Sequence, residues 1–203
     1  MGQTTQQLQK AVAKAPDPQQ AVSALLELAK HYNTFDLNKG VKTLQKAQEI
    51  IGRGGVQPEE QIRTLLGLGS VTIDLRDYET AVDYLEQAIK LAEAHQAHSL
   101  KARAWGNIGF TYMELGNFTE AMSAFLEALE IARGTNDKRT EIDALNGIGM
   151  VYGESGESQE ALIHLNQVLA LTQGVDPVGE TVALNNCALE YVKIGDFERT
   201  LEY

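Results

Sequence analysis

Apolar residues fall along this chain at helical spacing, in blocks that recur. In residues 105–129, Trp105, Ile108, Gly109 and Tyr112 stand at i, i+3, i+4 and i+7. After a break at Gly116-Asn117, helical spacing returns with Ala121, Phe125 and Ala128. This is the 3.6-residue period of two amphipathic helices, not the alternation of a strand. Segments 65–89 and 145–169 repeat the arrangement: Gly69, Gly109 and Gly149 are 40 residues apart, and Ala81, Ala121 and Ala161 keep the same step. A fifth copy opens at Leu184 and runs one residue short, Gly156 to Gly195 being 39. A diverged first copy lies upstream, with Leu25, Leu28, Ala29 and Tyr32 on one helix face and Gly40, Leu44 and Ala47 on the next.

Gly116-Asn117, Gly156 and Gly195-Asp196 read as stops at helix C-termini. Each copy is therefore a helix-turn-helix pair, and the pairs stand in tandem. One pair cannot bury its apolar stripe alone, whereas stacking on its neighbours does so and leaves a concave face. The expected organisation is one domain over residues 1–203. It has a helical tail or cap at 1–17, pairs near 18–56, 57–97, 98–136 and 137–177, and a partial fifth at 178–203. The tail, Thr5–Ala15, is closed by Pro16-Asp17-Pro18 and has a weak apolar pattern. It reads either as a cap on the first pair or as a frayed end.

Trp105-x2-Ile108-Gly109-x2-Tyr112, followed by Ala121-x3-Phe125-x2-Ala128, resembles the tetratricopeptide-repeat (TPR) pattern. Other copies depart from it at Thr72, Leu145, Leu165 and Ala188. The resemblance covers roughly residues 18–203. It implies an all-α, right-handed α-solenoid of tandem TPR helix-turn-helix pairs. The standard repeat is about 34 residues, so a 40-residue step implies longer helices or loops. That longer period is similar to the kinesin-light-chain and spindle-orientation adaptor class. It is also similar to bacterial peptide-sensing receptors built from such repeats.

Composition narrows the function. Apolar residues make up 43% and charged residues 22% of 203, as in globular proteins. A single cysteine, Cys187, excludes an internal disulfide and a thiolate zinc site. The net charge is −11, unevenly placed. Residues 1–140 hold 15 basic and 17 acidic side chains (net −2), and residues 141–203 hold 2 basic and 11 acidic (net −9). This balance argues against a nucleic-acid partner and favours a protein or peptide ligand of basic character. No run approaches about 18 consecutive apolar residues, so no membrane role is expected, and no signal-peptide core appears. The expected setting is the cytoplasm.

No catalytic constellation is visible: there is no GxSxG, no Walker loop and no HExxH. The chain is not expected to be an enzyme or to hold a cofactor or metal. Gly52-Arg53-Gly54-Gly55 has no Lys-Ser/Thr after it and reads as a linker. His95 and His98 lack a third ligand close in sequence. Glu157/Glu160 and Glu198/Glu202 suit solvated helix faces. Gly67, Gly106 and Gly147 lie inside helices, where each costs about 1 kcal/mol relative to alanine. Two accounts stay open for them, close helix packing and close approach of a ligand backbone.

The strongest functional signal is the face of each first helix opposite its packing stripe. There stand Arg63 in the second copy, Arg103, Asn107 and Phe110 in the third, Asn146 and Met150 in the fourth, and Asn185 and Asn186 in the fifth. Asparagine is a poor interior helix residue, but its carboxamide both donates to and accepts from an extended backbone. The resemblance implies the same use, with Asn107 and Asn186 at the matching places. Phe110 and Met150 would form apolar pockets. Only Arg63 and Arg103 fit the family's carboxylate clamp, so a bare C-terminal carboxylate is disfavoured as ligand.

The expected function is binding of a peptide or protein segment in the concave groove, as the adaptor or regulatory part of a larger signalling protein. The alternative is self-association into a homodimer through the C-terminal face of Leu184, Cys187 and Tyr191. That alternative rests on the fifth pair stopping at Thr200-Leu201-Glu202-Tyr203, a few residues into its second helix. A fragment of a longer protein, or an end that docks on another copy, is the corresponding expectation.

Overall fold

The computed structural model describes residues 2–200, with side chains from Thr4 onward. Residues 201–203, which include the expected end of the fifth pair, lie outside the described residues. The described residues form eleven helices and no strand. They are α1 (Gly2–Lys14), α2 (Pro18–Asn33), α3 (Leu37–Gly52), α4 (Pro58–Asp74), α5 (Tyr78–Ala94) and α6 (His98–Glu114), followed by α7 (Phe118–Thr135), α8 (Lys138–Glu154), α9 (Ser158–Thr172), α10 (Pro177–Lys193) and α11 (Phe197–Thr200). The chain divides into two compact units, Met1–Asn107 and Ile108–Tyr203, and the division falls inside α6.

Short polar turns set the helix boundaries. Asp17, Asp36, Asp77, Asp137 and Asp176 each accept a backbone N–H from the first turn of the helix they precede. Each such cap is worth about 1 kcal/mol. The turns inside the later pairs pass through the left-handed region at Gly116, Gly156 and Gly195, with φ of 74°, 83° and 76°. Only glycine takes that conformation without a Cβ penalty. In the second pair Arg76 occupies it instead, with φ of 60°.

In unit 1, Val22, Leu25, Ala47 and Val56 form one core cluster. Ala29, Leu44, Leu68 and Val71 form a second, which joins α2 and α3 to α4. The N-terminal helix is docked: Val12 packs against the first cluster, Thr5 Oγ1 is 2.8 Å from His31 Nε2, and Gln9 donates to Tyr32 Oη at 2.8 Å. Leu85 of α5 lies so close to Gly69 of α4 that an added Cβ would meet it at 2.7 Å.

Unit 2 is organised around Phe125 of α7, which is 0% exposed. A Cβ on Gly109 would stand 2.7 Å from its ring, and one on Gly147 of α8 would strike the ring from the following pair. Phe110 meets it edge-on, with ring centroids 4.9 Å apart. Gly149 repeats the theme against Leu165, at 2.9 Å. The turn between α7 and α8 is clasped by Glu141, which is buried and accepts from Lys138 Nζ at 2.8 Å and Arg133 Nε at 3.0 Å. The hydrogen bond from Lys138, reinforced by Arg133, holds its carboxyl below the usual carboxylate range against the opposing effect of burial.

Gly109→Ala and Gly147→Ala force methyls into the Phe125 ring, and overpacking of this kind costs about 1–3 kcal/mol. Gly106→Ala, by contrast, meets nothing within 4 Å and gains about 0.5–1 kcal/mol of helix propensity. Urea denaturation of the three variants checks the opposite signs. For Glu141 the folded carboxyl titrates below the unfolded one, so its stabilisation is present above the unfolded value and is lost as pH falls through the folded one. Glu141→Gln is expected to lower unfolding free energy by about 1–3 kcal/mol at pH 7. Urea melts run downward from pH 7 should show that gap closing below about pH 4.5.

Candidate functional site

In unit 1 the first helices of successive pairs face one another across a cleft of ≈ 350 Å³. Its walls come from α2, α4 and the middle of α6, with Leu44 of α3 between them. Leu26, Leu44 and Leu66 give it an apolar floor, while Lys30, Asn33, Arg63, Ser70, Arg103 and Asn107 bring polar groups to it. Arg63, Arg103 and Asn107, singled out by their register, are thus gathered in one place. Lys30 is paired with Glu27 at 2.7 Å and Arg63 with Glu59 at 2.6 Å. Arg103 is exposed and forms no ion pair among the described residues. Asn33 Oδ1 is buried with no hydrogen-bond partner among the described residues. It presses on Gly40, where a Cβ would collide with it.

Lys30 and Asn33 escape the 40-residue count because the first pair has diverged. A signal for them was present in the spacing of Ser23, Leu26, Lys30 and Asn33, which places one side of α2 along the cleft. The glycines beside the signature positions divide. Gly67 faces Leu44, with a Cβ at 3.1 Å, and Gly147 faces Phe125, so both serve packing between pairs. Gly106 has open space at its Cβ position.

In unit 2 the first helices α8 and α10 are laced together at two points, each joining residues 40 apart. Asn186 Nδ2 donates to Asn146 Oδ1 at 2.7 Å, and Asn146 Nδ2 points at Met150 Sδ at 3.6 Å. Further along α10, Lys193 Nζ donates to the Gly153 carbonyl at 3.0 Å and pairs with Glu190 at 2.7 Å. Glu190 is 6% exposed, and its second oxygen is buried without a hydrogen-bond partner among the described residues. The structure therefore brings Asn146, Met150 and Asn186 together, with their carboxamides bonded to each other. Phe110 lies against Phe125 instead, and Asn185 projects to solvent.

Leu184, Cys187 and Tyr191 sit in the packing of α9 with α10, not on an open face. Cys187 is 0% and Tyr191 6% exposed, in a cluster with Ala161, Leu162 and Leu165, and Leu184 is half-buried. The exposed apolar residues of α10 are others: Val178, Val182, Leu189 and Val192. His95 and His98 are exposed on either side of the turn from α5 to α6. Among the described residues no group of three or more His, Cys, Asp or Glu is placed to hold a metal ion. Among them, too, no helix is long and apolar enough to cross a membrane.

Burial, with a smaller contribution from the Glu190 charge, pushes the Cys187 thiol up to about 11. Only the thiolate is nucleophilic. Native protein at pH 8 should therefore react with a thiol-specific disulfide reagent more than 100-fold more slowly than urea-unfolded protein. Stopped-flow absorbance traces of thiol release measure the ratio, and equal rates would mean that α9 does not cover Cys187.

Two family models described as tetratricopeptide repeat match the chain, one over residues 100–174 and one over residues 62–95. No curated protein matches it. Similar solved structures include the crystal structure of BtubC (BKLC) from P. vanneervenii. It has 18% identity and a TM-score of 0.83, and the match covers 99% of this chain and 87% of that one. The TPR-like repeats of a kinesin-light-chain-type protein from Podosopora anserina match with 17% identity and a TM-score of 0.70, over 92% of each chain. A Rap protein complexed with competence and sporulation factor matches with 14% identity and a TM-score of 0.77, over 88% of this chain and 52% of that one. At these identities the likeness is one of fold: tandem helix pairs of the α-solenoid class.

Proposed function

The chain belongs to the tetratricopeptide-repeat family, with long repeats of the kinesin-light-chain kind, and from that premise we propose that it docks an extended segment of a partner protein in the cleft of α2, α4 and α6. A repeat array of this kind is a protein-interaction module. The observation that carries the finer reading is the convergence of polar groups from three successive first helices on one apolar-floored cleft. Two of those groups lack, among the described residues, the partner that burial or charge would require. Arg103 is an uncommitted cation, and Asn33 Oδ1 is a buried acceptor without a donor. A segment that offers a carboxylate to Arg103 and a backbone or side-chain N–H to Asn33 satisfies both. Leu26 and Leu66 then receive an apolar side chain beside it.

Asn146, Met150 and Asn186 form a second first-helix surface, within unit 2. Asn146 keeps one acceptor lone pair and one N–H for a ligand backbone, and Asn186 keeps one N–H and both lone pairs of its carbonyl oxygen. The net −9 of residues 141–203 favours basic residues in whatever approaches that surface. The reading includes an adaptor or regulatory role in signalling and a cytoplasmic setting, in keeping with a single cysteine left free and buried. Support also comes from the Rap neighbour, which was solved with a bound factor.

Selection of displayed random 15-residue peptides against the chain tests the proposal. Enriched peptides should contain an acidic residue beside an apolar one. By fluorescence anisotropy they should bind Arg103→Ala at least 10-fold more weakly, and Arg139→Ala, on the exposed side of α8, unchanged. Failure to enrich any peptide, or equal loss in both variants, would overturn it.

A further inference from the structure

The cleft of unit 1 shares a wall with a second hollow. Asn33 lines both, and the second, a shallow pocket beside the turn from α2 to α3, is walled also by Phe35, Asp36, Leu37, Asp74 and Leu75. Along α4, Ser70 borders the cleft and Asp74 the pocket, one helical turn further on. Arg63 and Asp74 stand 11 residues apart. At about 100° per residue that is within about 20° of three full turns, so both lie on one face of α4. Gly67 and Ser70 lie between them on that face, and neither carries a side chain large enough to block an extended backbone. Arg103 holds the place of Arg63 in the next first helix, 40 residues on, and lines the same cleft.

The pocket holds a carboxylate that the fold leaves uncommitted. Asp36 is tied to Lys39 at 2.9 Å and caps α3, and Arg76, next after Leu75, donates to Tyr78 Oη at 3.3 Å. The remaining carboxylates around the two hollows are Glu27, paired with Lys30, and Glu60, which lies at the Arg63 end of the cleft. The Asp74 side chain has neither an ion pair nor a hydrogen bond among the described residues. Partial burial pushes its carboxyl above the usual carboxylate range. Asp74 is also the last residue of α4, where the helix dipole disfavours negative charge, so this acid does not stabilise the helix that carries it. Beside it, Phe35 and Leu75 are 44% and 40% exposed. A carboxylate next to an aromatic ring and an aliphatic side chain suits a long cationic side chain, whose stem covers apolar surface while its head stays charged. Along α4 the two charged positions are about 16 Å apart, a span that an extended chain covers in about five residues. We propose that the segment in the cleft carries a lysine or arginine whose stem lies on Phe35 and Leu75 and whose charge meets Asp74, about four to six residues from the acid that meets Arg103. This register presupposes the docking of a segment in the cleft and adds to it a second, oppositely charged anchor.

The displayed 15-residue peptides enriched on the wild-type chain serve as the probe. Their consensus should hold a lysine or arginine about four to six positions from the acidic residue. By fluorescence anisotropy, Asp74→Asn should bind them about 5-fold more weakly. Replacing the basic residue of the peptide with glutamine should cost the wild-type chain as much and Asp74→Asn nothing further. Asp74→Lys should reverse the preference, binding the peptide with glutamate in place of its basic residue better than the parent peptide. That reversal is a gain of binding, which a damaged fold would not give. Asp83→Asn, on the exposed side of α5, should bind as the wild type does. Peptides that need Arg103 but ignore both changes at Asp74 would overturn this register and leave the reading of the cleft intact. A consensus without a basic residue at that spacing would do the same. Failure to enrich any peptide would overturn both.

Discussion

The absence of a side chain at three points governs how the helix pairs close. Leu85, Phe125 and Leu165 each project from a second helix into the place where Gly69, Gly109 and Gly149 have no Cβ. Each contact lies 16 residues along the chain, and the three recur at intervals of 40. Backbone and side chain meet there more closely than any other residue would allow. The two helices of a pair are thereby fixed in distance, and dispersion over the large side chain stabilises the approach. Phe125 extends the rule to the next pair, because Gly147 grips the other side of the same ring. A change at Gly109 or Gly147 therefore acts on a pair and its neighbour together.

Given that closure, the second helices and the packing stripes of the first are occupied by the core. What is left over for recognition is the opposite face of each first helix. The two units use that face differently. In unit 1 it frames a cleft with a buried acceptor on Asn33 and a cation on Arg103, groups whose requirements the described residues leave unmet. In unit 2 Asn186 bonds Asn146 and Lys193 pairs with Glu190, although the second Glu190 oxygen is buried without a hydrogen-bond partner among the described residues. A buried polar group without a partner costs about 1–3 kcal/mol. Both units keep such atoms, Asn33 Oδ1 in unit 1 and Glu190 Oε2 in unit 2 among them, and Asn33 is a residue that lines the cleft of unit 1.

The same logic separates the two sides of α10. Its inner side, with Cys187 and Tyr191, closes on α9 and is chemically quiet. Burial holds the thiol protonated at ordinary pH. Its outer side keeps Val178, Val182, Leu189 and Val192 in solvent.

Periodicity in the sequence was enough to determine the all-α class, the pairing of helices and the positions of the close-packing glycines. Each of these is local: a 3.6-residue stripe, a left-handed turn at Gly116 or Gly156, a missing Cβ at a fixed step. It also brought Arg63 and Arg103 to notice, because repeats in register present equivalent residues on one face. What it could not determine was which polar groups find partners. That Asn146 and Asn186 bond each other, that Asn33 Oδ1 is left alone, and that the solvent side of α10 is the valine stripe and not the face of Cys187 and Tyr191, all depend on atoms far apart in sequence. Hydrogen bonds and burial are settled by a few ångströms between neighbouring pairs, and only tertiary packing sets those distances.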